Sequence, residues 1–375
     1  MRVLYFSSSS IPSRTANSVH VMRMASALVG EGCQLRLLGR FRKEEIEDGV
    51  EDWHSYYGVP NNFLIARSRW RRNSALSLLG YIFMGWIVTV RWRPDLVISR
   101  NLVASWLLAR MGFRVIHEAH APWKFSGKIG ELLFRDMVKA SHFVGLVVIS
   151  QPLLDDYLGS GLITRDAVIV CHDGATLAPR DDLTAPSGSF DARPLIGYAG
   201  SLYEGRGIDL ICEIARRCPW ADFVVVGGPN GEADTWTRRS TGLGNIKFLG
   251  HIPPAEVAGA LRRFDCLLAP YQPTTRDGVG NVTSAWMSPL KIFEYMAAGS
   301  PIIASDLAVL REVLAHEGNC LLADPTSPQE WVDSISRLQD LPELGHAIAA
   351  QALEDLKDKY SWSVRARSIL GFATA

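Results

Sequence analysis

The sequence predicts an α/β chain of two consecutive halves, each built on its own parallel sheet, with the sheets facing across a cleft. Three observations predict it. Short, nearly continuous Val/Ile/Leu runs alternate with helix-like segments from end to end, as parallel strands covered on both faces require. The alternation breaks at residues 176–194, a proline-containing stretch poor in large apolar side chains, and then restarts. The length of 375 residues divides most easily into two domains of about 150–200 residues.

In order, RVLYF (2–6) reads as a first strand; one charge and a few apolar residues running into serines do not make a signal peptide. A helix near 17–30 leads to QLRLLG (34–39). DLVISR (95–100) precedes the helical LVASWLLARMG (102–112), then RVIHEAH (114–120). A helix around 126–141 leads to HFVGLVVIS (142–150), and AVIVCHDGA (167–175) closes the first half. The second half supplies LIGYAGS (195–201), DFVVVGG (222–228), NIKFLGHI (245–252), DCLLAPY (265–271), PIIASD (301–306) and NCLLA (319–323). The expected domains are 1–175, a linker at 176–194, and 195–358, with a final helix in 359–375 packing back toward the first domain. Ligands of such sheets bind beyond the carboxyl ends of the strands, which makes the cleft the default site.

Composition excludes several classes. Lys+Arg and Asp+Glu are both 39, so nothing argues for nucleic acid or a polyanion as partner. The six cysteines include no Cys-x-x-Cys pair and no metal-type spacing, which suits reduced thiols in a cytoplasmic protein. The run 74–90, SALSLLGYIFMGWIVTV, is just long enough to cross a bilayer core. Two glycines interrupt it and soluble α/β sequence surrounds it, so a buried or half-buried helix is the first reading. The second is a peripheral patch on the inner face of an anionic membrane. Arg67, Arg69, Arg71 and Arg72 precede the run, Arg91 and Arg93 follow it, and Leu76, Leu79, Phe83 and Trp86 form an apolar stripe.

Two strand-to-helix junctions of the second half carry positive charge. LIGYAG runs into a loop with Gly200, Ser201, Gly205, Arg206 and Gly207 before an amphipathic helix. Glycines there let backbone N–H groups approach an anion and Arg206 adds a forked donor, although a plain structural turn explains the loop equally well by itself. In SPLKIFEYMAAGSPIIASD (288–306), Ser288 reads as an N-cap, Pro289 as the first helical residue, and Leu290, Phe293 and Ala297 as the core face. Lys291 then opposes the helix dipole, which costs stability unless an anion is near. Glu294, one turn on, suits vicinal ribose hydroxyls; a solvated Lys–Glu pair is the bland alternative. In the first half, alternation along RVIHEAH puts Glu118 and His120 on one face and His117 on the other. That makes a metal shared by His117 and His120 improbable, and no metal is expected.

Taken together and in order, IPSRTANSVHVMRMASAL, VISQPLLDDYL, VIVCHDGA, IGYAGSLYEGRGIDLI, FVVVGG, IKFLGHIPPAEV, SPLKIFEYMAAGSPIIASDLAVLREVL and YSW at 360–362 resemble glycosyltransferase family 4, with its two-Rossmann-domain GT-B fold. The resemblance implies a nucleotide-sugar donor, a UDP- or GDP-sugar, used as substrate without cofactor or metal. It also implies transfer to a hydroxyl with retention of anomeric configuration. By position, Arg206 matches the family's diphosphate-binding lysine and Glu294 the ribose-binding second glutamate of a Glu, seven residues, Glu motif. His251 and Ile252 match the segment whose backbone meets the base. The loop before the first helix, residues 13–17 and ending at Asn17, matches the Gly-rich loop beside the diphosphate. His120 matches the active-site histidine, with Glu118 orienting it or an acceptor hydroxyl, or pairing with an arginine. Asp173–Gly174 matches a position at the domain hinge.

Three departures stand out. Ser201 replaces a phosphate-binding arginine, Trp286 replaces the first glutamate, and Ala16–Asn17 replaces a glycine pair. The lost arginine and the gained Lys291 suggest that phosphate charge has moved to the helix start. Such enzymes resemble front-face catalysts in which the departing phosphate takes the acceptor proton, so positioning and charge stabilisation carry the rate. An epimerase of the same fold and a non-catalytic glycan-binding protein are the alternatives, and a dinucleotide oxidoreductase is disfavoured by the missing Gly-rich fingerprint. Nothing in residues 40–75 names the acceptor, which is a glycan, a lipid-linked compound or a small molecule.

Overall fold

The computed structural model divides the chain into two compact units, Met1–Asp173 with Trp362–Ala375, and Gly174–Ser361. It describes residues 1–40, 45–67, 75–177, 193–228, 231–276 and 280–375, apart from the side chains of 75, 76 and 126. The expected linker, 176–194, lies for the most part outside them.

The first unit is a seven-stranded sheet, all of whose pairings are parallel. Its elements are β1 (Arg2–Ser10), α1 (Ala16–Gly30), β2 (Gln34–Arg40), α2 (Trp53–Tyr57), β3 (Leu64–Arg67), α3 (Ala75–Trp92), β4 (Leu96–Ser99), α4 (Leu102–Arg110), β5 (Val115–Ala119), α5 (Gly127–Met137), β6 (Phe143–Val148), α6 (Gln151–Gly159) and β7 (Val168–Val170). The order is β3-β2-β1-β4-β5-β6-β7. It reverses at β1, and a reversal of this kind opens a crevice at the strands' carboxyl ends. Right-handed crossovers put α1 on one face and α3, α4 and α5 side by side on the other.

The second unit holds β8 (Leu195–Ala199), α7 (Ile208–Arg217), β9 (Asp222–Val226), α8 (Glu232–Arg239), β10 (Ile246–Gly250), α9 (Pro254–Leu261), β11 (Cys266–Ala269), α10 (Leu290–Ala298), β12 (Ile302–Ser305), β13 (Leu321–Ala323), α11 (Pro328–Asp340) and α12 (Pro342–Asp355). Its parallel order, β10-β9-β8-β11-β12-β13, reverses at β8. Two apolar layers cover the sheet, one around Ile211, Ile214, Trp331 and Ile335, the other around Phe293, Met296, Ile302 and Leu310. The last helix, α13 (Trp362–Thr374), packs on α1 of the first unit.

Three expectations need correction. α10 is capped by Pro289 with no side-chain bond, so Ser288 is buried outside the helix and Lys291 sits at its second position. No residue of the helix is fully exposed: Lys291, Ile292, Phe293, Tyr295 and Met296 are buried, because α9 and α12 press on it as well as the sheet, while Leu290 and Ala297, expected to face the core, share a half-buried edge with Glu294. Asn17 lies not in the loop before α1 but in its first turn, because Thr15 caps the helix by accepting from the Ser18 N–H. The run 74–90 falls largely within α3, which is half-buried. Tyr81 packs edge-on to Phe6, with ring centroids 4.9 Å apart, and a Cβ on Gly85 would meet that ring at 2.0 Å. Among the described residues no helix is long and apolar enough to cross a membrane.

Candidate functional site

Two buried charged centres hold the expected site residues, one in each unit. In the first unit, the pleat of β5 sends His117 to one face, where its Nδ1 lies 2.9 Å from the Ser105 hydroxyl. It sends Glu118 to the other, where the carboxylate is fully enclosed. Glu118 Oε1 lies 2.7 Å from His120 Nε2, 2.9 Å from His20 Nε2 and 2.8 Å from an Arg365 guanidinium nitrogen, while Oε2 accepts from the Tyr5 hydroxyl at 3.0 Å. His20 Nδ1 faces Asp173 Oδ1 at 2.9 Å, so the ring joins two carboxylates.

Burial by itself would raise the Glu118 carboxyl. The Arg365 and His20 charges and the histidine hydrogen bonds outweigh it and hold the group well below the usual carboxylate range. Asp173 is lowered in the same way, burial being overcome by His20. His120 is pushed down to about 4, by burial first and then by Arg100, so its imidazole is neutral at neutral pH. His117 is also pushed to about 4 by burial.

His20, Glu118 and His120 bring three ligating atoms within 4.8 Å of one another. Arg365 already occupies the shared Glu118 oxygen, so the group is a hydrogen-bonded ion cluster in which a metal ion would confront a guanidinium. Sequence reasoning missed His20 and Arg365. Both lie on helices, α1 and α13, and only the tertiary fold delivers them to β5. The adjoining Trp362, buried with its ring edge-on to His20 at 5.0 Å, is the tryptophan of the quoted YSW.

The second centre stands where β8 and α10 meet. Lys291 is buried, with Nζ 3.5 Å from the centroid of the Tyr198 ring and 4.9 Å from that of Tyr271. Arg206 lies over the same Tyr271 ring at 5.3 Å. Two cations thus share aromatic faces, which favour positive charge, yet Lys291 Nζ and Arg206 Nε are buried without hydrogen-bond partners. Burial, then the Arg206 charge, holds the lysine far below its ordinary range, with Glu294 opposing. The bland alternative, a solvated Lys–Glu pair, is excluded by the burial of Lys291. Gly200, at φ 146°, leaves room for the lysine, since a Cβ there would come within 2.9 Å of Lys291 Cε. Ser201 supplies its carbonyl to the Tyr198 hydroxyl at 2.6 Å, which fixes the ring beneath the lysine. Sequence reasoning places Tyr198 and Tyr271 only within strand-like runs, since nothing local marks a ring that a distant cation will cover.

The remaining expected residues are less tightly gathered. Glu294 is half-buried one turn beyond Lys291, and His251 and Ile252 follow β10, two strands from β8. Asn17 belongs to the other unit and is exposed. Asp173 is the last residue of the first unit's main segment and Gly174 opens the second unit.

Comparison with known proteins gives a consistent picture. Residues 18–178 match the family model Glycosyltransferase Family 4, and residues 193–340 the model Glycosyl transferases group 1. A D-inositol 3-phosphate glycosyltransferase of Corynebacterium efficiens is 24% identical over 306 residues, 76% of this chain and 67% of the relative. Sucrose-phosphate synthase of Thermosynechococcus elongatus superposes with a TM-score of 0.71 at 15% identity, covering 100% of this chain and 98% of that one. Anabaena HepE in complex with UDP gives a TM-score of 0.67 at 15% identity, covering 100% of both chains.

Proposed function

This chain belongs to glycosyltransferase family 4, a glycosyltransferase of the GT-B fold, and on that premise we propose that it moves a sugar from a UDP- or GDP-sugar to a hydroxyl acceptor with retention of anomeric configuration. The observation that carries the reading is the pair of buried, unpartnered cationic nitrogens, Lys291 Nζ and Arg206 Nε, which two strand-to-helix junctions of the second unit bring to the same Tyr271 ring. Two neighbouring like charges, each with a buried nitrogen that lacks an acceptor, are costly by themselves and favourable once a diphosphate lies between them. The HepE structure, which holds UDP, supports the same class of ligand.

In this reading the cations bind the diphosphate and stabilise the charge that develops on it as the glycosidic bond breaks. The leaving phosphate accepts the acceptor's proton, so no dedicated base is required. Gly200 gives close approach, Glu294 holds the ribose, and the backbone at His251 and Ile252 meets the base. His120, kept neutral and aligned by Glu118, serves as hydrogen-bonding partner to the sugar. No metal is assigned a role.

The test is to incubate the protein with a panel of UDP- and GDP-sugars, with and without an acceptor mixture, and follow nucleoside diphosphate release and the anomeric configuration of the product. Acceptor-dependent release with retention is expected. Donor conversion without acceptor would make it an epimerase. Absence of both binding and release across the panel would overturn the assignment.

A further inference from the structure

The cations of the second unit have a counterpart that the diphosphate does not use. Glu232, half-buried, opens α8, and its Oε2 is buried with no hydrogen-bond partner among the described residues. Burial pushes its carboxyl up, and no cation or hydrogen-bond donor opposes that. An acid in a first helical turn suits the helix dipole, but the dipole asks for no burial: Asp234 stands in the same turn and is exposed. A buried carboxylate oxygen costs stability until a donor reaches it.

Glu232 lies in the strand-end crevice that holds Lys291. The Gly200 N–H donates to the Val226 carbonyl at 2.9 Å and the Gly227 N–H to the Gly250 carbonyl at 2.7 Å, which ties the ends of β8, β9 and β10 together. Gly227, at φ 119°, permits the approach, since a Cβ there would meet the Gly200 carbonyl oxygen at 2.1 Å. A Cβ on Gly228 would stand 2.7 Å from Leu202 and 3.4 Å from Glu232 Oε2. Close contacts therefore run from Lys291 through Gly200 and the glycine pair to Glu232. One on Gly250 would touch Ala233 at 3.8 Å, so α8 opens against the residue that precedes His251 and Ile252.

Building on the proposed donor site, we propose that Glu232 selects the nucleobase and that the base is guanine, which makes the donor a GDP-sugar. Of the common nucleobases, guanine alone presents two adjacent N–H donors on one edge, N1–H and the exocyclic amine, and a carboxylate offers two acceptors side by side. Uracil turns a single N–H toward the same group, flanked by two carbonyl oxygens that repel it. A uridine nucleotide thus leaves the acid poorly paired in its buried place, and an unpaired buried group is what makes a polar site discriminate.

The experiment is calorimetric titration of the full chain with GDP, UDP and inosine diphosphate, which keeps N1–H and lacks the exocyclic amine. GDP is expected to bind at least about tenfold tighter than UDP, with inosine diphosphate between them. Glu232→Gln keeps the shape but sets an amide N–H against one guanine donor. It should weaken GDP at least about tenfold and leave UDP within about threefold, without lowering the melting temperature. Glu232→Ala should bring the three nucleotides to similar affinities. UDP bound as tightly as GDP by the unmodified protein, or equal losses for GDP and UDP in Glu232→Gln, would overturn the guanine assignment and leave the donor site standing. Binding of none of the three would overturn both.

Discussion

The buried charges of the two units are arranged in opposite ways. Around Glu118, opposite charges and hydrogen-bond partners converge until the carboxylate has His20, His120, Arg365 and Tyr5 against it. Around Lys291, a like charge shares the Tyr271 ring and the lysine nitrogen has no hydrogen-bond partner. The first centre answers its charges with opposite ones from within the protein, although His20 Nδ1, His20 Nε2 and Arg365 Nε lack a well-aligned hydrogen bond. The second sets a like charge beside a buried lysine nitrogen that has no hydrogen-bond partner, and in the proposed function a diphosphate supplies the missing partner. Burial alone does not distinguish a structural charge from a ligand-binding one. Whether the charge is answered within the protein does.

The largest effect should come from breaking the complete centre. Arg365→Met leaves Glu118 buried with a missing counter-charge and should destabilise the protein by about 3–5 kcal/mol, read as a drop in the denaturant midpoint. A loss below about 1 kcal/mol would show that the guanidinium is dispensable and that the histidines alone hold the carboxylate.

Acid should reach the first unit through two histidines of β5 and its end, His117 on the Ser105 face and His120 beside Glu118. His117 and His120 titrate at about 4 in the folded protein against about 6.5 unfolded. Between those values the unfolded chain binds more protons, so stability is full above about pH 6.5 and falls as the pH is lowered toward 4. The loss is on the order of 3 kcal/mol per histidine once both forms are protonated. Lys291 has the same sign in another window: its lowered value means that stability rises with pH on the way up to its ordinary range. Unfolding midpoints should therefore climb as the pH is raised from 4 to 10, and Lys291→Met should remove the part of the rise that persists above about pH 6.5.

That substitution sharpens the comparison further. Lys291→Met keeps the volume and removes a buried charge that has no hydrogen-bond partner and that Glu294 and the tyrosine faces answer only in part, so the melting temperature should rise. Affinity for nucleoside diphosphate should nevertheless drop at least tenfold, about 1.4 kcal/mol. Calorimetry showing unchanged affinity would place the diphosphate elsewhere. The smallest effect is expected from Glu294→Gln, which keeps its shape and loses its charge. It should weaken a ribonucleotide several-fold and its 2′-deoxy analogue less, and equal losses would remove Glu294 from ribose recognition.

Most of the scaffold was legible in the sequence. Each expected apolar run lies on a strand, because parallel strands buried on both faces leave an unmistakable composition. β3 was not anticipated: its four residues, Leu64–Arg67, sit at the sheet edge with Leu64 65% exposed, and nothing in so short a stretch marks a strand. Six-residue resolution also sufficed to bring Glu118 beside His120, since pleating is local. It could not supply His20 or Arg365, whose contacts with Glu118 depend on two helices docking from distant parts of the chain. Nor did periodicity place Lys291. A lysine at helical spacing from Glu294 fits a wet face as well as a dry one, and only neighbours on every side of α10 decide between them.

The distance along the chain between Glu118 and Arg365, 247 residues, has a consequence for synthesis. A ribosome delivers all of β1 to β7 and then the entire second unit before the guanidinium that answers Glu118 emerges. Until then the amino-terminal half carries a buried acid with an incomplete shell, and α1 lacks the Trp362 and α13 surface that covers it. Nascent chains stalled short of residue 362 should therefore remain protease-sensitive in the first unit while the second is already resistant, so that the part made first matures last.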